Sequence, residues 1–129
     1  MMKNLMKITG VLLVVLIAFS SFKYSDNRTE VIVWETKTID LGELEKGDAV
    51  TKQFVFTNQH DETIKIVRTK ASCGCTVTEH TTGEILSGEK GYVSAKYTAK
   101  QSGPFQKTIQ VFTTAGEEAI TLQIKGVVK

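Results

Sequence analysis

An all-β sandwich is the fold this sequence predicts, and three observations predict it. After residue 30 apolar and polar residues alternate with a period of two through most of the chain, the spacing of strands that hide one face. The apolar segments are short and are separated by turn signals at Lys46-Gly47-Asp48, Ser87-Gly88-Glu89, Ser102-Gly103-Pro104 and Ala115-Gly116-Glu117. No window reads well as an amphipathic helix. Short strands at regular spacing indicate a sandwich or barrel of about seven strands. They are expected to be antiparallel, because such a sheet can leave one face in water.

The elements follow in order. Val31-Ile32-Val33-Trp34 is β-branched and aromatic, and reads as an edge strand. Ile39 and Leu41 alternate with Asp40 before Gly42. Gln53-Phe54-Val55-Phe56-Thr57 places both phenylalanines on one face, and Asn58-Gln59-His60-Asp61 reads as a turn. Ile64 and Ile66 alternate with Lys65 and Val67. Val93, Ala95 and Tyr97 alternate with Ser94, Lys96 and Thr98. Ile109 and Val111 flank Gln110, with Phe112 on the other face, and Ile120, Leu122 and Ile124 flank Thr121 and Gln123.

The first 20 residues have a different pattern. Lys3 and Lys7 precede a nearly continuous apolar run from Ile8 to Phe19, and small residues follow at Ser20 and Ser21. This is the layout of a secretory signal peptide, helical while attached, with cleavage expected after Ser20. The run is shorter than the roughly 20 apolar residues of a spanning helix. A membrane association is expected only if the signal stays uncleaved as an anchor. Residues 21–30 read as a flexible lead-in and residues 31–129 as one domain. The only cysteines, Cys73 and Cys75, lie far beyond the apolar run, so it carries no lipidation site.

Composition narrows the function. The chain has 129 residues, 41% hydrophobic and 23% charged, which suits a folded globular domain. Its net charge of +2 belongs to the signal segment, because removing Lys3 and Lys7 from 16 basic side chains leaves 14 against 14 acidic ones. A neutral domain lacks the electrostatic footprint of a nucleic-acid binder. Glycines fall singly at turns rather than in a phosphate-binding loop. Glu43, Glu45, Glu84 and Glu89 read as solvated loop charges. Asp61-Glu62 and Glu117-Glu118 lack the further oxygen ligands of a calcium site. Tyr24, Trp34 and Tyr92 are aromatics whose commoner role is packing.

From Ile39 onward the sequence resembles a bacterial family known as domain of unknown function 1573. The resemblance runs through Asp40-Leu41-Gly42 with Leu44, Phe54-Val55-Phe56-Thr57-Asn58 and Ser72-Cys73-Gly74-Cys75-Thr76. It continues through Ile85 to Gly91, Gly103 to Lys107 and Leu122 to Gly126. Ser87 stands where the family often has Pro, and Thr113-Thr114 where an Asn is common. The resemblance implies an exported, immunoglobulin-like sandwich without an established activity.

Cys73 and Cys75 are the chemistry-bearing pair, and three readings stand beside each other. An exported pair tends to oxidise. Neighbours two apart can meet the Cα spacing of a disulfide, which would close almost no loop and be readily reduced. Alternatively, both are small residues packing at a strand end, with Gly74 permitting a tight backbone. As thiolates they suit Cu(I) or zinc, yet His60 and His80 are the only histidines and every Met lies in residues 1–6. If residues 73–80 formed one strand, His80 would face away from both cysteines. The expectation is a non-enzymatic module without a cofactor, held in the cell envelope, periplasmic or extracellular, by contacts to a protein partner. The alternative is a redox-active or Cu(I)-handling protein that uses Cys73 and Cys75.

Overall fold

The computed structural model describes residues 31–129. The expected signal peptide, its cleavage point and the lead-in lie outside the described residues. Eight strands form: β1 (Ile32–Trp34), β2 (Thr38–Leu44), β3 (Ala49–Asn58), β4 (Ile66–Ala71), β5 (Thr76–His80), β6 (Lys90–Thr98), β7 (Gly103–Thr113) and β8 (Ile120–Val128). They make two four-stranded sheets, in the orders β1-β3-β6-β5 and β2-β8-β7-β4, here sheets A and B. The all-β sandwich is as the alternation predicts.

Three details differ. An eighth strand, β5, is present. Its inward positions Thr76 and Thr78 are polar, while its one aliphatic residue, Val77, is 62% exposed, so no apolar alternation announces it. The sandwich is also not wholly antiparallel: β2 runs parallel to β8, from Thr38 beside Gln123 to Leu44 beside Val128. Hydrophobic alternation encodes which face a residue takes but not strand direction. Lastly, Ile64 stands outside β4 and pairs with Ile85 through two backbone hydrogen bonds of 3.0 and 2.8 Å.

The core fills the space between the sheets. Phe54, Phe56 and Val93 from sheet A meet Ile109, Val111, Leu122 and Ile124 from sheet B, all essentially without solvent exposure. Alternation places them inward along β3, β6, β7 and β8, interrupted at exposed Lys52 in β3 and at buried Ser94 in β6. Asn58 is buried too: its amide donates to the carbonyls of Glu62 and Ile85, each at 3.0 Å, and its oxygen accepts from the His60 N–H. These bonds fix the turn after β3 and satisfy a polar group that would otherwise be costly to bury. At the opposite end, Phe105 stacks on Tyr97 with centroids 4.2 Å apart. Gly126 sits under that ring, where a Cβ would lie 2.8 Å from Phe105 and 2.7 Å from the Gly42 carbonyl. Only glycine fits there.

The chain crosses between the sheets at both sides of the sandwich. On one side β1 of sheet A passes through Glu35–Lys37 into β2 of sheet B. On the other, β4 of sheet B passes through Ser72-Cys73-Gly74-Cys75 into β5 of sheet A.

Candidate functional site

The Cys73-Gly74-Cys75 segment is a turn that joins the sheets, and both ends are tied down. Ser72 donates its N–H to the Thr108 carbonyl at 2.9 Å and accepts the Thr108 N–H on its hydroxyl at 3.1 Å, which anchors the turn to β7. Cys75 accepts the Thr98 N–H at 3.0 Å, which anchors it to β6. Between these anchors the Thr76 N–H reaches the Cys73 carbonyl at 3.3 Å and closes the turn.

This geometry sets the cysteines 5.4 Å apart at Cα, with their sulfurs within bonding distance. Both are half-buried; Cys75 packs on the core, and Thr76 Oγ1 lies 3.8 Å from the Cys73 sulfur. The turn does not need glycine's freedom. Gly74 lies outside the left-handed region, and a Cβ there would meet nothing within 4 Å. The latitude that glycine permits at position 74 is therefore not used.

The pair opens onto a shallow depression of about 360 Å³ lined also by Tyr97, Lys100, Gln101 and Lys107. Lys107 occupies an inward register position between Phe105 and Ile109 and is half-buried. Among the described residues no carboxylate lines the depression, so Lys100 and Lys107 give it a basic character. Burial pushes the Tyr97 hydroxyl above its ordinary range, so it stays a neutral phenol.

The histidines are elsewhere. His80 ends β5, at the far end from Cys75, where its Nδ1 pairs with the Thr81 carbonyl at 2.9 Å. His60 sits in the turn after β3 and accepts the Glu62 N–H on Nδ1. Among the described residues no group of three His, Cys, Asp or Glu side chains gathers to hold a metal.

The opposite side of the molecule holds the edge strand β1 that the sequence announces, together with features that sequence reasoning did not single out. Strand β1 covers only Phe56–Asn58 of β3. The Glu35 N–H donates to the Val55 carbonyl, so Val55 points its backbone groups away from β6. By antiparallel alternation Gln53, Thr51 and Ala49 point theirs the same way, and no described strand lies there. Trp34 is an edge-strand residue, as expected, but its side chain is buried, 8% exposed, against Phe56 with ring centroids 4.8 Å apart. Its indole Nε1 is buried with no hydrogen-bond partner among the described residues. The burial of Trp34 was signalled by its alternation with Ile32; the orphan donor and the uncovered edge had no signal in the sequence.

The fold recurs in solved structures of low sequence identity. A protein of unknown function from Porphyromonas gingivalis W83 superposes with a TM-score of 0.64 at 11% identity, over 75% of this chain and 46% of that one. The secreted serine protease VesC from Vibrio cholerae gives 0.62 at 16%, over 80% of this chain and 24% of that one. The ASH/PapD-like domain 7 of human CEP192 gives 0.61 at 11%, over 77% and 85%. This chain thus spans about a quarter of VesC and under half of the P. gingivalis protein. No curated protein sequence matches it. The model of the family described as protein of unknown function, DUF1573, matches residues 32–128, from the start of β1 to the end of β8, and the chain belongs to that family.

Proposed function

We propose that this protein is an exported, non-enzymatic module of the cell envelope that holds a protein partner along the open side of sheet A. The observation that carries this reading is the side of β3 at Ala49, Thr51 and Gln53 on which no described strand pairs, beside a β1 of only three residues. A row of unsatisfied donors and acceptors is a template for an added strand. Lys52 guards the row: it stands at an inward register position between Val50 and Phe54, yet is exposed. A charge there disfavours pairing of two copies and favours a partner that answers it. Export is supported by the basic, apolar and small-residue order of residues 1–20. The intact mass of the protein recovered from the envelope tests it, with loss of residues 1–20 expected and a full-length mass refuting cleavage. A photo-crosslinker placed at Thr51 in the producing cell tests the binding edge. One enriched adduct is expected, and a lane identical to the uncrosslinked control would end this reading.

A second reading rests on Cys73 and Cys75 in their lysine-lined depression. As a disulfide the pair would accept two electrons and two protons from a partner's dithiol, leaving that partner oxidised and the pair reduced. Thiol trapping of the purified protein across graded glutathione buffers tests it. A pair that never changes state, with a Cys73→Ser/Cys75→Ser variant that behaves as wild type in the cell, would remove it.

A further inference from the structure

A pocket of about 190 Å³ lies beside β1, lined by Val31, Ile32, Trp34, Ala115, Glu118 and Ile120, with Lys37 at its rim. It is the gap between the edge of sheet A and the loop that joins β7 to β8 in sheet B. Three features describe its occupant. Its size is below the range of about 300–1,000 Å³ usual for small-molecule sites and close to that of one bulky apolar side chain. Ile32 and Trp34 turn their side chains into the sandwich. The neighbours of each in β1 bond to β3, the Val31 carbonyl to the Gln59 N–H and the Glu35 N–H to the Val55 carbonyl, so the backbone groups of Ile32 and Trp34 point to the free edge. Finally, Trp34 carries a buried donor without a partner among the described residues, which an occupant that shifts the indole can satisfy with a carbonyl oxygen. Charge adds a fourth feature. Lys37 is already engaged, whereas Glu118 is exposed and makes no ion pair among the described residues.

We infer that this pocket is the anchor site for an extended segment of a partner protein, which adds to the free edge of β1, inserts one aliphatic side chain beside Trp34 and sets a basic residue near Glu118. The inference rests on the proposed binding role and specifies its chemistry. A small molecule would fill the pocket without using the β1 edge. A segment of this chain's own residues 21–30 would need Phe22 or Tyr24 as its anchor.

Trp34 is the single tryptophan of the chain, so its fluorescence reports on this pocket alone. The probe is a capped heptapeptide of threonines with leucine at the centre and lysine beside it, titrated into the purified protein. A saturable emission shift is expected. It should be lost when the leucine is replaced by aspartate, and when the peptide backbone is N-methylated to block edge pairing. Gly116→Leu adds bulk at a position that lines the pocket, without a clash or backbone strain, since a Cβ there meets nothing within 4 Å and the backbone is not left-handed. That variant should weaken the peptide by about tenfold or more while keeping the wild-type thermal midpoint. An unchanged spectrum with every peptide would overturn the inference, as would an equal response to the N-methylated peptide or to benzene alone. So would a Phe22→Ser/Tyr24→Ser protein whose resting spectrum already differs from wild type. If Gly116→Leu still captures the Thr51 crosslinked partner, the pocket assignment fails and the binding role stands.

Discussion

The two crossovers of the sandwich do the same topological task with opposite results. The β4–β5 crossover is closed. Ser72 and Cys75 tie it to both sheets, the cysteines are set against each other, and Thr69 and Thr78 share a hydrogen bond of 2.7 Å across the gap between the sheets. The β1–β2 crossover leaves its side open. It takes the chain off β3 after three residues and, among the described residues, leaves one side of β3 from Ala49 to Gln53 without a paired strand and an indole donor without a partner beside a pocket. The contrast teaches that one side of the sandwich is tied off by hydrogen bonds to both sheets, while the loosely covered side has surface to offer.

The comparison can be broken or sharpened by substitution, and the largest effect is expected beneath the open side. Phe56 is fully buried and supports Trp34. Phe56→Ala should cost about 3–5 kcal/mol, read from the urea midpoint, and should shift Trp34 emission towards the red. The closed side should be less sensitive. Replacing both cysteines with serine should cost no more than about 1.5 kcal/mol, the closure entropy of so short a loop. A larger loss in the same denaturation experiment would make the pair the structural keystone of that side. Thr69→Val leaves the Thr78 hydroxyl without its partner and should cost about 1 kcal/mol; Thr69→Val combined with Thr78→Val should cost less than the sum of the two single changes. The smallest effect is expected at Gly74. Its backbone suits any residue and its Cβ position is open, so Gly74→Ala should raise stability by about 0.5 kcal/mol through the unfolded chain. A loss of stability there would mean that the turn uses glycine after all.

Much of the fold is legible from alternation because the core is built from four long strands that each hide one face. Phe54 and Phe56, Val93 and Ala95, Ile109 and Val111, and Leu122 and Ile124 all lie inward as their spacing requires. Strand β5 is invisible because its inward face meets Thr69 rather than the apolar core, so threonine serves there where valine would serve elsewhere. The parallel pairing of β2 with β8 is invisible for a different reason: direction leaves no trace in hydropathy. The cysteines were noticed because residue type advertises chemistry, and their spacing permits the Cα separation found. The edge strand β1 was legible, but the open stretch of β3 was missed because it is defined by where β1 stops. Glu35, Thr36 and Lys37 look like ordinary polar linker residues, and only the register of β1 on β3 reveals what they leave uncovered.

The central claim is that partners bind the open side and not the closed one. The most direct measurement places the same photo-crosslinker at Thr51 on the open side and, separately, at the exposed Gln101 beside the cysteine pair on the closed one, in the cells that make the protein. An adduct from Thr51 with none from Gln101 is the predicted result. Adducts from Gln101 alone would contradict the account and move the binding surface to the cysteine side.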